Sequence, residues 1–222
     1  MGLFDWFTPR RRIDLLEDRV WYDRHAKWTG IAREIQNRRA YDRRIVIVAH
    51  FPQSLADACD VFDVTGIDFQ QLSEPIRADE LMAENSPLPQ TMALLAEQLA
   101  DDAGRLIDDA SQEPATLLVI ERHPLPEPDE RIVEFARQIP GRPRVRFHLA
   151  LDEPLMRRLG GNWLPAMLKH LGMERTEPIQ SAMVSRSLRK AQRQLRDETS
   201  LDEPAQSAEE WFQRNCPERH RS

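Results

Sequence analysis

The sequence predicts an α/β fold: a mostly parallel sheet flanked by helices, with a helical extension at the C-terminal end. Two uninterrupted apolar runs, residues 45–49 and 117–120, carry this prediction. Such runs are typical of strands that are buried on both faces, as in a parallel sheet. Segments with apolar residues at helical spacing separate the strands, and this alternation indicates βαβ units.

The first half of the chain contains a helix on each side of the first buried strand. Apolar residues at helical spacing mark these two helices: Trp28, Ile31 and Ile35 in the first, and Leu55, Ala58, Cys59 and Phe62 in the second. The second helix is predicted to end near Gly66. A further strand is predicted around Ile67, Phe69 and Leu72, and the polar, proline-containing residues 73–90 predict a loop or a short irregular helix.

The middle of the chain continues the alternation. Met92, Leu95, Leu99 and Leu106 predict a helix before the second apolar run, and Ile132, Ala136 and Ile139 predict one more helix that ends before Gly141. In residues 145–151, apolar residues alternate with Arg146 and His148. This alternation predicts a strand near an edge of the sheet, with one face partly wet.

The C-terminal part is predicted to be helical. From Pro154, an apolar stripe of a first helix comprises Leu155, Leu159, Trp163 and Met167 with Leu168 and Leu171, and that of a second helix comprises Val184, Leu188, Ala191 and Leu195. The opposite side of the second helix gathers five cations, Arg186, Arg189, Lys190, Arg193 and Arg196, which are a solvated surface or a docking site for an acidic partner or anionic lipid. Residues 197–222 predict a flexible tail.

Composition narrows the class of protein. Charged residues make up 31% of the 222 residues, mean hydropathy is −0.60, and no apolar run approaches the ~20 residues of a membrane-spanning helix. Only two cysteines are present and no secretory signal opens the chain, so a cytoplasmic location is predicted. Net charge is −6, although residues 1–44 contain 11 basic against 7 acidic residues. The acidic total argues against general binding of nucleic acid.

The N-terminal segment combines aromatic and basic residues. Trp6 and Phe7 stand just before Arg10, Arg11 and Arg12. This pairing suits an anionic membrane surface, which would place the chain peripherally at the inner membrane, or an acidic partner. The alternative is a terminus that folds its aromatic side chains onto the body.

Residues 147–195 closely resemble one place in one family. Leu-Met-Arg-Arg-Leu-Gly-Gly at 155–161, Leu-Gly-Met-Glu at 171–174, Glu-Pro-Ile at 177–179 and Met-Val-Ser-Arg at 183–186 are similar to the junction in SecA, the motor ATPase of bacterial protein export. At this junction the second RecA-like nucleotide-binding domain runs into the helical scaffold. Residues 20–35 and the strand that ends in Glu121-Arg122-His123 also resemble the family, so that about 20–72 and 117–196 follow the family order.

The resemblance implies a domain organisation and a fold. Residues 1–19 are expected to form a basic and aromatic segment, 20–152 a RecA-like domain of the P-loop NTPase-like class, and 153–196 a scaffold-like extension ahead of the tail at 197–222. The family's phosphate-binding loop belongs to a first domain that this sequence lacks. None of the eight glycines forms Gly-x-x-x-x-Gly-Lys or Gly-x-Gly-x-x-Gly.

Two further family motifs are missing from the second domain. Where one glycine/arginine motif is expected, residues 100–116 contain only Gly104 and Arg105, and Arg137 is the one candidate relic of the other. Removing such an arginine costs ~10³-fold or more in rate. The prediction is therefore a pseudo-ATPase without a cofactor or a metal.

Three functions remain open at this point. The first is a non-catalytic, SecA-related interaction module that binds a SecA motor or another export component. The second is a protein or enzyme that binds a nucleotide or another phosphorylated ligand in a residual cleft with Arg122, His123 and Arg137. The third is a peripheral membrane adaptor that uses Trp6, Phe7 and the three arginines. Glu121-Arg122-His123 is either an acid/base cluster or inherited scaffold whose charges pair with neighbouring loops.

Overall fold

The computed structural model describes residues 13–100, 113–160, 176–199 and 202–216. Its strands are β1 (Asp14–Leu15), β2 (Arg19–Trp21), β3 (Arg44–Ala49), β4 (Gln70–Gln71), β5 (Thr91–Leu95), β6 (Ala115–Val119), β7 (Arg144–Ala150) and β8 (Ile179–Gln180). Its helices are α1 (Arg24–Arg38), α2 (Pro52–Thr65), α3 (Ala78–Met82), α4 (Pro126–Gln138), α5 (Pro154–Gly160), α6 (Ala182–Glu198) and α7 (Ala208–Asn215), with a 3₁₀ turn at Ala96–Gln98.

The strands form one mostly parallel sheet. Its order in the described ranges is β4-β5-β3-β6-β7-β2-β8, and β1 pairs with the first residues of β7. Every pair is parallel except β2 with β8. Parallel neighbours need crossover connections, which here pass through helices on the faces of the sheet. The predicted fold class, an α/β RecA-like sheet flanked by helices with a C-terminal helical extension, is confirmed.

The sheet separates two apolar cores. Along β3, Val46 and Val48 point into one core, whereas Ile45 and Ile47 point into the other. Helices α1 and α2 cover the second face, and α3, α4, α6 and α7 contribute buried side chains to the first. Because both faces of β3 and β6 are covered, each position along these strands has to be apolar, and this explains the two uninterrupted runs in the sequence.

The predicted helix at Met92, Leu95 and Leu99 is wrong. Residues 91–95 form β5, which lies between β3 and β4, and Met92 and Leu94 enter one core while Ala93 enters the other. A short apolar run has no periodicity that distinguishes a strand from a buried helix. The pairing with β3 therefore decides its conformation. Leu106 lies outside the described residues.

The prediction of β7 as a partly wet strand near an edge is also wrong. Strand β7 lies between β6 and the two short strands β1 and β2, and Arg146 and His148 are 8% and 0% exposed. Both side chains lie against Glu34 of α1. A buried carboxylate thus accounts for polar residues that the pattern alone assigns to solvent.

The described part of the predicted flexible tail is docked on the body. Helix α7 begins with the side chain of Ser207, which accepts a hydrogen bond from the backbone N–H of Glu210 at 3.2 Å. Trp211 is 1% exposed, and its ring lies 5.5 Å from that of His123. The prediction of a flexible tail is therefore wrong for residues 202–216, because one fully buried indole holds this segment in place.

The sheet extends beyond the predicted boundaries of the α/β domain. Strand β1 and the start of β2 lie in the segment assigned to residues 1–19, and β8 lies in the stretch assigned to the helical extension. Helix α6 has the predicted buried stripe of Val184, Leu188 and Leu195. The predicted positions Trp163, Met167, Leu168 and Leu171 lie outside the described residues. No helix in the described ranges is both long and apolar enough to cross a bilayer.

Gly30 is a close-contact position in α1, and its replacement by alanine is expected to lower the free energy of unfolding by about 1–3 kcal/mol. An added Cβ would lie 1.9 Å from Cη2 and 2.2 Å from Cζ2 of the buried Trp21. The indole cannot move freely, since its Nε1 donates to Nδ1 of His148 at 3.2 Å. Urea unfolding measures the loss. The exposed neighbour Thr29, replaced by alanine, should change stability by less than about 0.5 kcal/mol, and equal effects of the two variants would contradict the contact.

Candidate functional site

The carboxyl ends of β3, β6 and β7 surround a cleft beside the first turn of α2. Open α/β sheets bind ligands at this end of their strands. The cleft has a volume of about 250 Å³, and its walls include Lys27, Ser54, Glu121, Arg122 and Glu153. The start of α7, residues 207–209, lines its other side. This is the residual cleft that the sequence predicts, and its charges are examined one by one below.

Glu121 fills the N-terminal end of α2. Its Oε1 accepts hydrogen bonds from the backbone N–H groups of His50 at 3.0 Å and Phe51 at 3.2 Å, and its Oε2 accepts one from Oγ of Ser54 at 2.7 Å. The unpaired N–H groups and the dipole at a helix N-terminus form the usual binding site for a phosphate. Here a carboxylate of the same chain takes the place of that phosphate.

Lys27 is paired within the cleft. The buried ammonium group of this α1 residue contacts the carboxylate of Glu153 and donates to the backbone carbonyl of Ile120 at 2.8 Å. Glu153 also accepts a hydrogen bond from the N–H of Ala150 at 3.0 Å. Burial raises the pKa of Glu153, although Lys27 acts in the opposite direction. The lysine is therefore not available as a free partner for a phosphate.

Arg122 lies between two buried carboxylates. Its guanidinium group donates to Asp18 through Nε at 3.1 Å and Nη2 at 2.8 Å, and to Asp129 through Nη1 at 2.7 Å. Its Cζ also lies 3.9 Å from the ring centroid of Phe147. Burial opposes the charged form, but Asp129 and Asp18 outweigh it and raise the pKa of Arg122. The arrangement uses the planar fork of arginine to connect β2, β6 and α4.

Asp129 is the centre of this network. It accepts hydrogen bonds from the His123 backbone N–H at 3.1 Å and from Nε2 of Gln192 on α6 at 2.7 Å, and it lies 2.7 Å from Nε2 of His50. Burial opposes ionisation, but Arg122 and His50 lower the pKa of Asp129 to about 2. Gln192 donates to the His123 carbonyl at 2.8 Å as well. Helix α6 is thus joined to the sheet through polar contacts.

His123 is packed among aromatic rings. Its centroid lies 5.4 Å from those of Phe51 and His50 and 5.5 Å from that of Trp211. Its Nδ1 accepts a hydrogen bond from the Leu125 backbone N–H at 3.1 Å. Burial, assisted by the neighbouring His50, lowers the pKa of His123 to about 4. A neutral imidazole is therefore part of the folded structure.

Stability is expected to fall as the pH drops from 6.5 to about 4. The unfolded chain binds a proton at His123 near the ordinary pKa of 6.5, whereas the folded chain does so only near 4. The contribution of the neutral ring is complete above pH 6.5 and is lost towards the lower value. Burial also lowers the pKa of His148. His123→Gln should reduce the pH dependence of the urea-derived free energy of unfolding without abolishing it, and an unchanged dependence would contradict this assignment.

The three predicted cleft residues do not converge on one point. Arg122 lines the cleft and also a second cavity of about 590 Å³, which is lined by residues of α4 and α6. Arg137 lines only the second cavity and pairs with Glu134 at 2.7 Å on the surface of α4. His123 faces the aromatic cluster instead. No group of three or more His, Cys, Asp or Glu residues in the described ranges could hold a metal ion.

The five cations predicted on α6 are all exposed. Arg196 pairs with Glu127 of α4 at 2.6 Å, and Arg189 and Arg193 line the second cavity. Arg186 and Lys190 form no ion pair among the described residues. The N-terminal candidates Trp6, Phe7, Arg10, Arg11 and Arg12 lie outside the described residues.

Sequence reasoning missed most of the buried partners. Asp18, Asp129, Gln192 and Glu153 carry no local signal, because their partners are distant in the chain. Lys27 does carry one, since it stands four residues before Ile31 on the apolar stripe of α1 and is 3% exposed. A lysine on the buried face of a helix indicates a buried carboxylate partner.

A part of the chain is similar in sequence to SecA. Over 50 residues it is 48% identical to protein translocase subunit SecA of Solidesulfovibrio magneticus and 44% identical to that of Lawsonia intracellularis. This stretch is 22% of the present chain and 6% of each SecA protein. No protein-family model matches the chain.

Two solved structures are similar in fold. The C-terminal part of the Fun30 ATPase domain is matched at a TM-score of 0.40 and 12% identity, over 77% of this chain and 54% of that one. The C-terminal domain of a possible DNA helicase from Lactobacillus plantarum is matched at a TM-score of 0.36 and 9% identity, over 64% of this chain and 75% of that one.

Proposed function

We propose that the chain is a non-catalytic, SecA-related protein-interaction module that associates with protein-export machinery. The observation that carries the proposal is the carboxylate of Glu121 at the N-terminus of α2. An enzyme that transfers phosphoryl groups needs unpaired backbone amides and cations at this place. In this chain the amides are satisfied from within, and Lys27 and Arg122 are each paired with carboxylates.

The link to export is supported by the partial sequence similarity to SecA. The resemblance is concentrated where the α/β domain meets the helical scaffold, and the catalytic motifs are the part that is missing. A chain of this kind keeps surfaces that contact other parts of a translocase and cannot hydrolyse ATP alone. We place it in the cytoplasm, with the basic and aromatic N-terminal segment as a second contact to the partner or to the inner membrane.

The basic face of α6 is the surface that we assign to the partner. It consists of Arg186, Arg189, Lys190, Arg193 and Arg196, all of them exposed. Its buried side is held by Val184, Leu188 and Leu195 and by the hydrogen bonds of Gln192. The cations are thus presented on a helix that is rigidly attached to the body, which suits recognition of an acidic surface.

Absence of catalysis is tested with ATP and Mg²⁺. The full chain should release no phosphate above the buffer background, and Arg137→Ala should not alter that result. Phosphate release that is lost in Arg137→Ala would contradict the proposal. So would nucleotide binding that is lost in Ser54→Ala, because Ser54 lies in the cleft next to Glu121. Glu121→Gln removes the blocking charge, and phosphate binding at α2 is expected only in this variant.

Partner binding is tested with the purified SecA motor of the same cells. Association should be measurable at low salt and should weaken in the double variant Arg186→Gln, Lys190→Gln. The matched control is Arg33→Gln, Arg157→Gln, which removes the same charge from exposed positions away from α6. If neither SecA nor another purified translocase component binds, or if both double variants weaken binding equally, the assignment fails.

A further inference from the structure

A second buried charge cluster lies on the opposite side of α1, away from the cleft. Its centre is Glu34, which is 7% exposed. One oxygen, Oε1, accepts from Nη1 of Arg146 at 2.8 Å and from Nε of Arg38 at 2.9 Å. The other, Oε2, contacts Nη1 of Arg19 and lies 3.4 Å from Nε2 of His148. Three arginines from three elements, β2, α1 and β7, therefore share one carboxylate.

The cluster has more donors than acceptors. Each guanidinium group carries five N–H donors, whereas a carboxylate has about four acceptor positions. The Nε groups of Arg19 and Arg146 are buried without a hydrogen-bond partner in the described part of the chain. The distance from Nε2 of His148 to Glu34 is too long for a strong hydrogen bond. Buried donors of this kind require an acceptor that the protein does not supply here.

The charges of the cluster are also unbalanced. It lines a cavity of about 490 Å³ whose wall contains four arginines, Arg19, Arg33, Arg38 and Arg146, but only two acidic residues, Glu34 and Glu177. Asp42 adds a contact to Arg38 at 3.4 Å and is itself bound to Arg144 at 3.0 Å. Burial lowers the pKa values of Arg19 and Arg146, and their arginine neighbours act in the same direction. The surplus is therefore positive and partly buried.

This arrangement differs from the cleft in one decisive respect. In the cleft, Lys27 has its own carboxylate and Arg122 has two. In the Glu34 cluster three arginines depend on one carboxylate, and Arg33 at the rim has no ion pair among the described residues. The unsatisfied positive charge of the structure is thus concentrated away from the strand ends, where the sequence led us to look.

We propose that the cavity beside Glu34 binds an oxyanion, namely inorganic phosphate or the phosphate group of a small molecule. Guanidinium groups match the geometry of a phosphate through pairs of parallel hydrogen bonds. A volume of about 490 Å³ is within the range of small-molecule sites and accommodates more than a bare ion. The anion would complete the neutralisation of Arg19, Arg33, Arg38 and Arg146. This site is separate from the cleft and does not depend on an export function.

The experiment is a titration of the full chain with inorganic phosphate and with pyrophosphate at low ionic strength, followed by calorimetry and by thermal unfolding. Saturable binding and a rise in the midpoint of unfolding are expected. Arg19→Gln should weaken binding by roughly tenfold or more, since hydrogen bonds to charged groups are worth about 1.5–3 kcal/mol. Arg33→Gln, at an exposed rim position, tests the same site in a variant whose folding is not at risk.

The matched control is Arg24→Gln, an exposed position at the other end of α1 that lines the cleft instead. It should leave phosphate affinity unchanged. The proposal is overturned if neither anion binds at millimolar concentration, or if Arg19→Gln and Arg33→Gln bind as tightly as the parent. It is also overturned if Arg24→Gln alone loses binding, because the ligand would then occupy the cleft. Tighter binding of pyrophosphate than of phosphate would indicate a phosphorylated small molecule as the natural ligand.

Discussion

Replacement of Arg122 by methionine is expected to lower the free energy of unfolding by about 3–5 kcal/mol. The substitution retains an apolar stem over the ring of Phe147 but removes the charge between Asp18 and Asp129. Both carboxylates are almost inaccessible to solvent, at 2% and 4% exposure. They would have to stay buried without their main counter-ion or take up protons. Urea unfolding near neutral pH measures the loss.

Two controls make this result specific. Arg137→Met removes an exposed arginine that pairs with Glu134 at 2.7 Å, and its effect should stay within about 0.5 kcal/mol. A triple variant, Arg122→Met with Asp18→Asn and Asp129→Asn, should recover part of the loss, because the uncompensated charges are gone. If Arg122→Met is no worse than Arg137→Met, the buried network is not the main connection between β2, β6 and α4.

Replacement of Trp211 by alanine is expected to remove about 3–5 kcal/mol of the free energy that holds α7 on the body. The indole is 1% exposed, its Nε1 donates to Asp202 at 2.7 Å, and its ring contacts those of His123 and Phe212. Because residues 202–216 are joined to the body mainly at this point, the loss should be local. Hydrogen exchange and proteolysis should show that this segment opens while the sheet stays protected.

The cleft provides a second measure of the same change. Residues 207–209 line it, so release of α7 should increase the solvent exposure of Lys27 and Glu153. The control is Gln213→Ala, an exposed position on the same helix, which should leave proteolysis unchanged. Equal protection of residues 202–216 in the parent and in Trp211→Ala would show that other contacts hold this segment.

The elements that could be predicted from the sequence are those whose neighbours all impose the same requirement. Residues 45–48 and 117–120 are buried on both faces of the sheet, so that they are apolar whichever strands lie beside them. Helix α2 ends at Gly66, whose φ of 68° is in the left-handed region that glycine adopts readily. Such signals are local, and a single sequence shows them.

The errors occur where a distant partner decides the conformation. Thr91–Leu95 is a strand because it pairs with β3, and nothing within the run shows this. Arg146 and His148 form an alternating pattern that indicates a wet face, but Glu34, more than one hundred residues earlier, lies against both. Trp211 stands in an acidic segment without periodicity, and its burial depends on His123.

The same distinction holds for the candidate sites. The absence of phosphate-binding glycine motifs is a property of the residues in order, and it predicts the loss of ATPase chemistry without any coordinates. That Glu121 occupies the start of α2, and that three arginines share Glu34, depends on side chains from separate strands and helices that only the folded chain brings within hydrogen-bond distance. Charge balance is a sum over neighbours in space, whereas a sequence shows only the neighbours along the chain.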